Sequence, residues 1–226
     1  MTRTLTLSRM SAKSSVDYRS VFINCPFDYD YLPLLRAACF AIMACGLRPR
    51  CALEFGDGGA SRFGEIVKLM GSCGFAIHDI SRVKLDKRSK MPRFNMPLEL
   101  GADFGLRFAG SKDQKARKMM ILDAEPHRYD KSLSDLSGND IEVHGNDTRR
   151  IIGCVRDWLR KNWDSSWGNE PAGAGAIAAD HDFFQKHAPD IMKKLRLDPN
   201  DLHHADYLKV VEVALPMIAA ANSSTP

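Results

Sequence analysis

Short apolar runs alternate with amphipathic stretches along most of the chain. Residues 20–24 (Ser-Val-Phe-Ile-Asn) form a β-prone run that stops at Cys25-Pro26, because proline has no N–H to give a ladder. Leu34, Ala38, Ala41, Ile42 and Cys45 then recur at helical spacing, with Pro33 in the first turn and Gly46 as the stop. Residues 50–54 read as a second strand, closed by a turn at Asp57-Gly-Gly. Phe63, Ile66, Val67 and Met70 predict a second helix reaching Gly71, and residues 75–78 a third strand ending at Asp79.

The charged, proline-containing stretch 81–93 reads as a surface loop, and 94–108 as a helix with Leu98, Ala102, Leu106 and Ala109 on one face. Residues 118–122 form a buried strand stopped by Asp123, and a short strand is expected near 141–143. A long amphipathic helix follows, carrying Ile151, Val155, Trp158 and Leu159 and capped near Asp147 or Thr148. Helices alternating with continuous apolar strands predict an α/β fold with a parallel sheet covered on both faces. The expected organisation is an N-terminal tail (1–18), an α/β domain (19–163), a Gly/Ala/Ser/Pro-rich linker (164–179) and a C-terminal helical appendage (180–222). The appendage is too small to fold alone and is expected to dock on the main body or on a neighbour. Pro216 should kink or end its last helix.

Composition changes this picture little. Of 226 residues 44% are hydrophobic, enough for a core, so disorder of the whole chain is excluded. The longest apolar stretches, such as 37–45, are far too short to cross a bilayer, which argues against a membrane protein. The formal charge of +4 (32 Lys+Arg against 28 Asp+Glu) is too small and too dispersed to argue for nucleic acid. Six Lys/Arg against one Asp lie between Arg82 and Arg93, a basic rim beside a predicted acidic floor. None of the six cysteines has the close spacing of a metal clamp, and most sit in apolar runs as small buried hydrophobes. The start of the chain has no apolar signal core, so a mobile tail in a cytoplasmic protein is expected, with an amphipathic import segment as the other reading.

In open α/β sheets ligands bind beyond the carboxyl ends of the strands. The residues expected there are Asn24, Pro26, Phe27, Asp28, Glu54, Asp57, Gly58, Arg62, Asp79, Ser81, Arg82, Arg93, Asn95, Glu99 and Asp123. Six are carboxylates, and no P-loop or Gly-x-Gly-x-x-Gly turn follows the first strand. Such a set suits sugar hydroxyls and developing positive charge better than phosphate. Asp28, Asp57 and Asp79 can equally serve as turn or capping residues. Glu99 differs: it lies between Leu98 and Leu100 near a helix start, followed at Gly101 by a residue that permits close approach. A metal held by Asp28, Asp79 and Glu99 has no local motif behind it, and His203-His204 point about 100° apart on a helix and read as surface residues.

The run Met96-Pro-Leu-Glu-Leu-Gly-Ala-Asp-Phe-Gly105, followed by Lys118-Met-Met-Ile-Leu-Asp123, resembles the catalytic helix and next strand of nucleoside 2-deoxyribosyltransferases. Val21-Phe-Ile-Asn-Cys-Pro-Phe-Asp28 is similar to that group and to the first strand of TIR domains. Phe22 to Asp28, Pro49 to Glu54, Ile77 to Ser81 and Pro92 to Gly101 resemble phrases of bacterial TIR-like proteins of unassigned role. The resemblance spans about 20–163 and implies a Rossmann-like (flavodoxin/TIR-like) sheet with Glu99 as the catalytic carboxylate. The deoxyribosyltransferases usually carry an aspartate six residues before that glutamate, where this chain has Arg93. An aspartate there could protonate a leaving base.

Cleavage of an N-glycosidic bond passes through an oxocarbenium-like state that a carboxylate stabilises. Nicotinamide leaves NAD from a cationic state and needs no general acid, whereas a neutral nucleobase does. The sequence reading is therefore an NAD glycohydrolase with no cofactor, NAD being the substrate. Glu99 contacts the ribose; Asp79 orients ribose or water; Asn24, Phe27 and Asp28 shape the base pocket, with Ser81 and Asn95 beside them; Arg62 or Arg93 pairs with the pyrophosphate. Arg93 can equally be a salt bridge that locks its loop. The resemblance further implies a regulated effector of bacterial antiviral defence that forms homo-oligomers on activation. The alternatives are a non-catalytic nucleotide-binding or self-assembly module, and a deoxyribosyltransferase-like enzyme.

Overall fold

The computed structural model describes residues 16–82 and 93–223. Most of the expected tail, most of the basic loop and the last three residues lie outside them. Within the described residues the chain runs β1 (Asp17–Asn24), α1 (Leu32–Ala44), β2 (Arg48–Arg50), α2 (Arg62–Ser72), β3 (Cys73–Asp79), α3 (Asn95–Ala109) and α4 (Lys112–Ala116). It continues with β4 (Lys118–Asp123), β5 (Ile141–Val143), α5 (Thr148–Lys161), α6 (Ala174–Leu195) and α7 (His204–Ser223). The five strands are all parallel, in the order β2-β1-β3-β4-β5, so the protein has the Rossmann-like architecture expected. In this order the chain reverses direction across the sheet between β1 and β3, the place where such folds bind ligands.

The two-residue period of the strands sorts their side chains. Val21, Ile23, Phe75, Ile77, Met120 and Leu122 face α1, α5, α6 and α7 in the largest core cluster. Phe22 and Ala76 face the other way, against Ile66 and Met70 of α2. Ile121 on β4 packs with Leu100 of α3. The C-terminal helices share the main core: Phe184, Tyr207, Val210 and Val211 are buried within it, and Tyr207 donates a 2.8 Å hydrogen bond to the Arg36 carbonyl of α1.

Several boundaries differ from the sequence reading. The tail ends earlier than 18, because Asp17 and Tyr18 already belong to β1. The second strand is only Arg48–Arg50; Ala52–Glu54 is a 3₁₀ turn, locked by Glu54 Oε1 accepting the Cys51 N–H at 2.8 Å. The end of the predicted linker is already helical, since α6 starts at Ala174. Pro216 does not end α7, and Pro189 likewise sits inside α6; tertiary packing of Val210, Val211, Ala214 and Ile218 outweighs the lost backbone bond. His204 is half-buried rather than exposed: its Nε2 lies 3.4 Å from the Sγ of buried Cys51, while His203 is exposed as expected. All six cysteines are free. Among the described residues no helix is long and apolar enough to cross a membrane.

One glycine is required by close approach. A Cβ on Gly74 would stand 2.6 Å from the Tyr18 Cα and 2.7 Å from its ring, so β1 would have to move. Gly74→Ala is expected to cost about 1–3 kcal/mol, read as a lower urea midpoint at unchanged m.

Candidate functional site

The segment after the carboxyl end of β1, Ala52 in the turn after β2 and the first turns of α2 and α3 enclose a cavity of about 180 Å³. Pro26 follows the end of β1, and Asp28 Oδ1 accepts the Tyr31 N–H at 2.9 Å in the turn before α1, with Cys25, Pro26 and Phe27 along one wall. Ala52, Ile66 and Met96 add apolar surface, and Asn95, Arg62, Arg93 and Glu99 supply the polar groups. The volume is below that of drug-sized pockets and suits one ring of a ligand. A larger cavity, about 520 Å³, lies between β5 and α5, but its Glu125, His127 and Asp140 are exposed and bring no buried chemistry.

Glu99 is the unusual group here. Its side chain is half-buried, and among the described residues no hydrogen bond or ion pair reaches its carboxyl. Burial pushes that carboxyl up to about 7, against the opposing pull of the Arg62 charge. Asp28 is paired instead, 3.3 Å from Arg93 and 3.6 Å from Arg82. Gly101 plays no part in a close approach: a Cβ there would meet nothing within 4 Å.

Of the residues expected at the site, Phe27, Asp28, Arg62, Arg93, Asn95 and Glu99 line this cavity, while Asn24, Asp79 and Ser81 do not. Asn24 is buried beneath it, its Nδ2 donating to the Met96 carbonyl at 2.9 Å. Asp79 follows His78 on β3 and so points to the opposite face of the sheet, away from α3. There it accepts from Tyr31 Oη at 2.6 Å and from the Ser81 N–H at 2.8 Å, and lies 2.9 Å from His144 Nε2. Asp79 is thus a loop-start cap in a buried polar cluster, and the buried Ser81 hydroxyl has no hydrogen-bond partner among the described residues. The predicted acidic floor is corrected in the same way. Only Asp28 and Glu99 of the six carboxylates line the cavity; Glu54 pairs with Arg50, Asp57 accepts the Gly59 N–H, and Asp123 is bound by Arg128 and the Ala124 N–H.

The sequence reading missed a chain of buried groups behind Glu99. His78 Nε2 lies 2.9 Å from Asp103 Oδ2, Arg117 pairs with both oxygens of Asp103, and Arg117 Nε donates to the Cys73 carbonyl at 2.6 Å. His78, Asp103 and Arg117 are each at most 1% exposed. A signal was present: His78 is the polar residue inside an otherwise apolar strand, and Asp103 falls four residues after Glu99 on the same helix face.

Among the described residues no group of three His, Cys, Asp or Glu side chains is arranged to hold a metal ion. The cavity can therefore place one desolvated carboxylate beside two guanidinium groups, with room for a single ring. In comparisons with known proteins no family model, curated protein or solved structure matches the chain.

Proposed function

We propose that the protein cleaves an N-glycosidic bond, with NAD as the substrate and Glu99 as the catalytic carboxylate. The observation that carries this reading is a half-buried carboxyl, free of hydrogen bonds and ion pairs among the described residues, lining a ring-sized cavity at the ligand-binding edge of a parallel sheet. The C1′–N bond breaks with its electron pair going to the nicotinamide nitrogen, which leaves neutral. Ionised Glu99 stabilises the oxocarbenium charge on the ribose, and water adds at C1′ with loss of a proton. No acid is needed, which agrees with Arg93 in the wall and with Asp28 being ion-paired. Arg62 and Arg93 face the dinucleotide's phosphates.

The test is nicotinamide release from NAD by the purified protein, at several protein concentrations, compared with Glu99→Gln. Release that the substitution leaves unchanged refutes the assignment. Arg62→Gln and Arg93→Gln are each expected to raise KM for NAD about 5- to 30-fold with a smaller change in kcat, as for loss of a charge-assisted contact. Transfer of the sugar to a free base rather than to water would mark the deoxyribosyltransferase-like alternative.

A second reading has its own observation. Phe63, Phe94 and Leu98 are 43%, 64% and 59% exposed, and each adjoins a cavity residue in sequence. Exposed apolar groups around a binding site fit a self-assembling or partner-binding module that holds nucleotide without turning it over. Concentration-dependent association with unchanged NAD would favour that reading.

A further inference from the structure

Met96, Glu99 and Asp103 follow each other at i, i+3 and i+7, so they share one face of α3. The two outer positions are both anchored to the sheet. Asn24 Nδ2, at the end of β1, spends one hydrogen on the Met96 carbonyl at 2.9 Å and directs the other at His78 Nδ1, 3.0 Å away. His78 Nδ1 must therefore accept, which puts the ring proton on Nε2, where it donates to Asp103. Arg117 completes the Asp103 carboxylate and is itself tied to the first residue of β3. Burial would push the Asp103 carboxyl up, but the His78 hydrogen bond and the Arg117 charge outweigh it and hold it below the usual aspartate range. All four side chains are at most 2% exposed, so solvent does not weaken these contacts.

We propose that Asn24, His78, Asp103 and Arg117 are positioning residues for Glu99: they pin α3 one turn before and one turn after it, and so decide that its carboxyl faces the cavity rather than solvent. Among the described residues no hydrogen bond or ion pair reaches that carboxyl. Its depth follows the helix that carries it, whose apolar side packs on the sheet through Leu100 and whose Glu99 face is fixed by these two polar anchors. The proposal rests on the reading of Glu99 as the functional group, but its test uses the protein alone.

The experiment is a carbon-13 NMR titration of carboxyl-labelled glutamate, with the Glu99 signal identified by its loss in Glu99→Gln. Wild type is expected to titrate near 7, and Asn24→Ser about one unit or more lower, because a serine at 24 is too short to hold both Met96 and His78. His78→Leu, which cuts the link to Asp103 without adding a charge, is expected to move the signal in the same direction. Val155→Ala, a buried truncation on α5 remote from this network, serves as the control for general destabilisation and is expected to leave the titration unchanged. A folded Asn24→Ser or His78→Leu with the wild-type midpoint overturns the proposal. So does a Val155→Ala shift of equal size, or a wild-type midpoint at the ordinary 4.5. Absence of NAD cleavage would refute the functional reading and leave this result standing.

Discussion

Glu99→Gln is expected to lower nicotinamide release from NAD by about 10²–10³-fold or more, the usual loss when one preorganised charge facing the transition state is removed. The amide keeps the shape of the side chain and discards the negative charge, so the effect should fall on kcat rather than KM. The wild-type protein is expected to show a further signature. Because burial raises the Glu99 carboxyl to about 7, kcat/KM should climb about tenfold per pH unit below that value and level off above it. Stability moves the opposite way. The folded carboxyl binds its proton more tightly than the unfolded one, so raising pH from 4.5 through 7 costs the native state free energy. Glu99→Gln is therefore expected to stabilise the fold at pH 8 by about 1–2 kcal/mol, after allowance for partial solvent screening, and by nothing at pH 4. Urea unfolding at the two pH values reads the difference, and equal effects at both would refute the desolvated carboxyl.

Breaking the Asp103–Arg117 pair is expected to be the most damaging single change in the described residues. Asp103→Asn leaves a buried guanidinium without its counter-charge, and Arg117→Met leaves a buried carboxylate; either should cost about 3–5 kcal/mol. For a chain of this length that corresponds to a fall in Tm of roughly 10 °C or more. The double variant Asp103→Leu, Arg117→Met should recover much of the loss, because removing both charges also removes their desolvation. A double variant as unstable as the sum of the singles would show that packing, and not charge, is at stake. The pair also predicts acid sensitivity. The folded Asp103 carboxyl lies below its unfolded value of 3.8, so its contribution is complete above that pH and is lost as pH falls through the folded value. Wild type should lose stability there by more than the double variant.

Much of the fold was legible because its elements carry their own periodicity. The alternation of β1, β3 and β4 with α1, α2, α3 and α5 could be read from apolar spacing, and Pro26, Gly46 and Asp147 stop or cap elements where local chemistry requires it. The errors are where tertiary packing overrode a local rule. Residues 52–54 were expected as strand and became a 3₁₀ turn, because a side chain-to-backbone bond from Glu54 to Cys51 competes with the ladder. Pro216 was expected to break a helix that the core holds together.

At the site the division is sharper. The sequence by itself determined that Glu99 stands near a helix start between leucines, that an arginine, Arg93, lies six residues before it, and that His78 and Asp79 point to opposite faces of one strand. It could not determine which face α3 would cover, because that depends on the direction of the chain's crossover and not on local spacing. Only the tertiary structure put α3 on the side of His78. That choice sends Asp79 to Tyr31 and His144, lets Asn24 and His78 reach α3, and leaves the Glu99 carboxyl half-buried with no hydrogen bond among the described residues. The desolvation of Glu99 is a property of that packing, built from residues far apart in the chain.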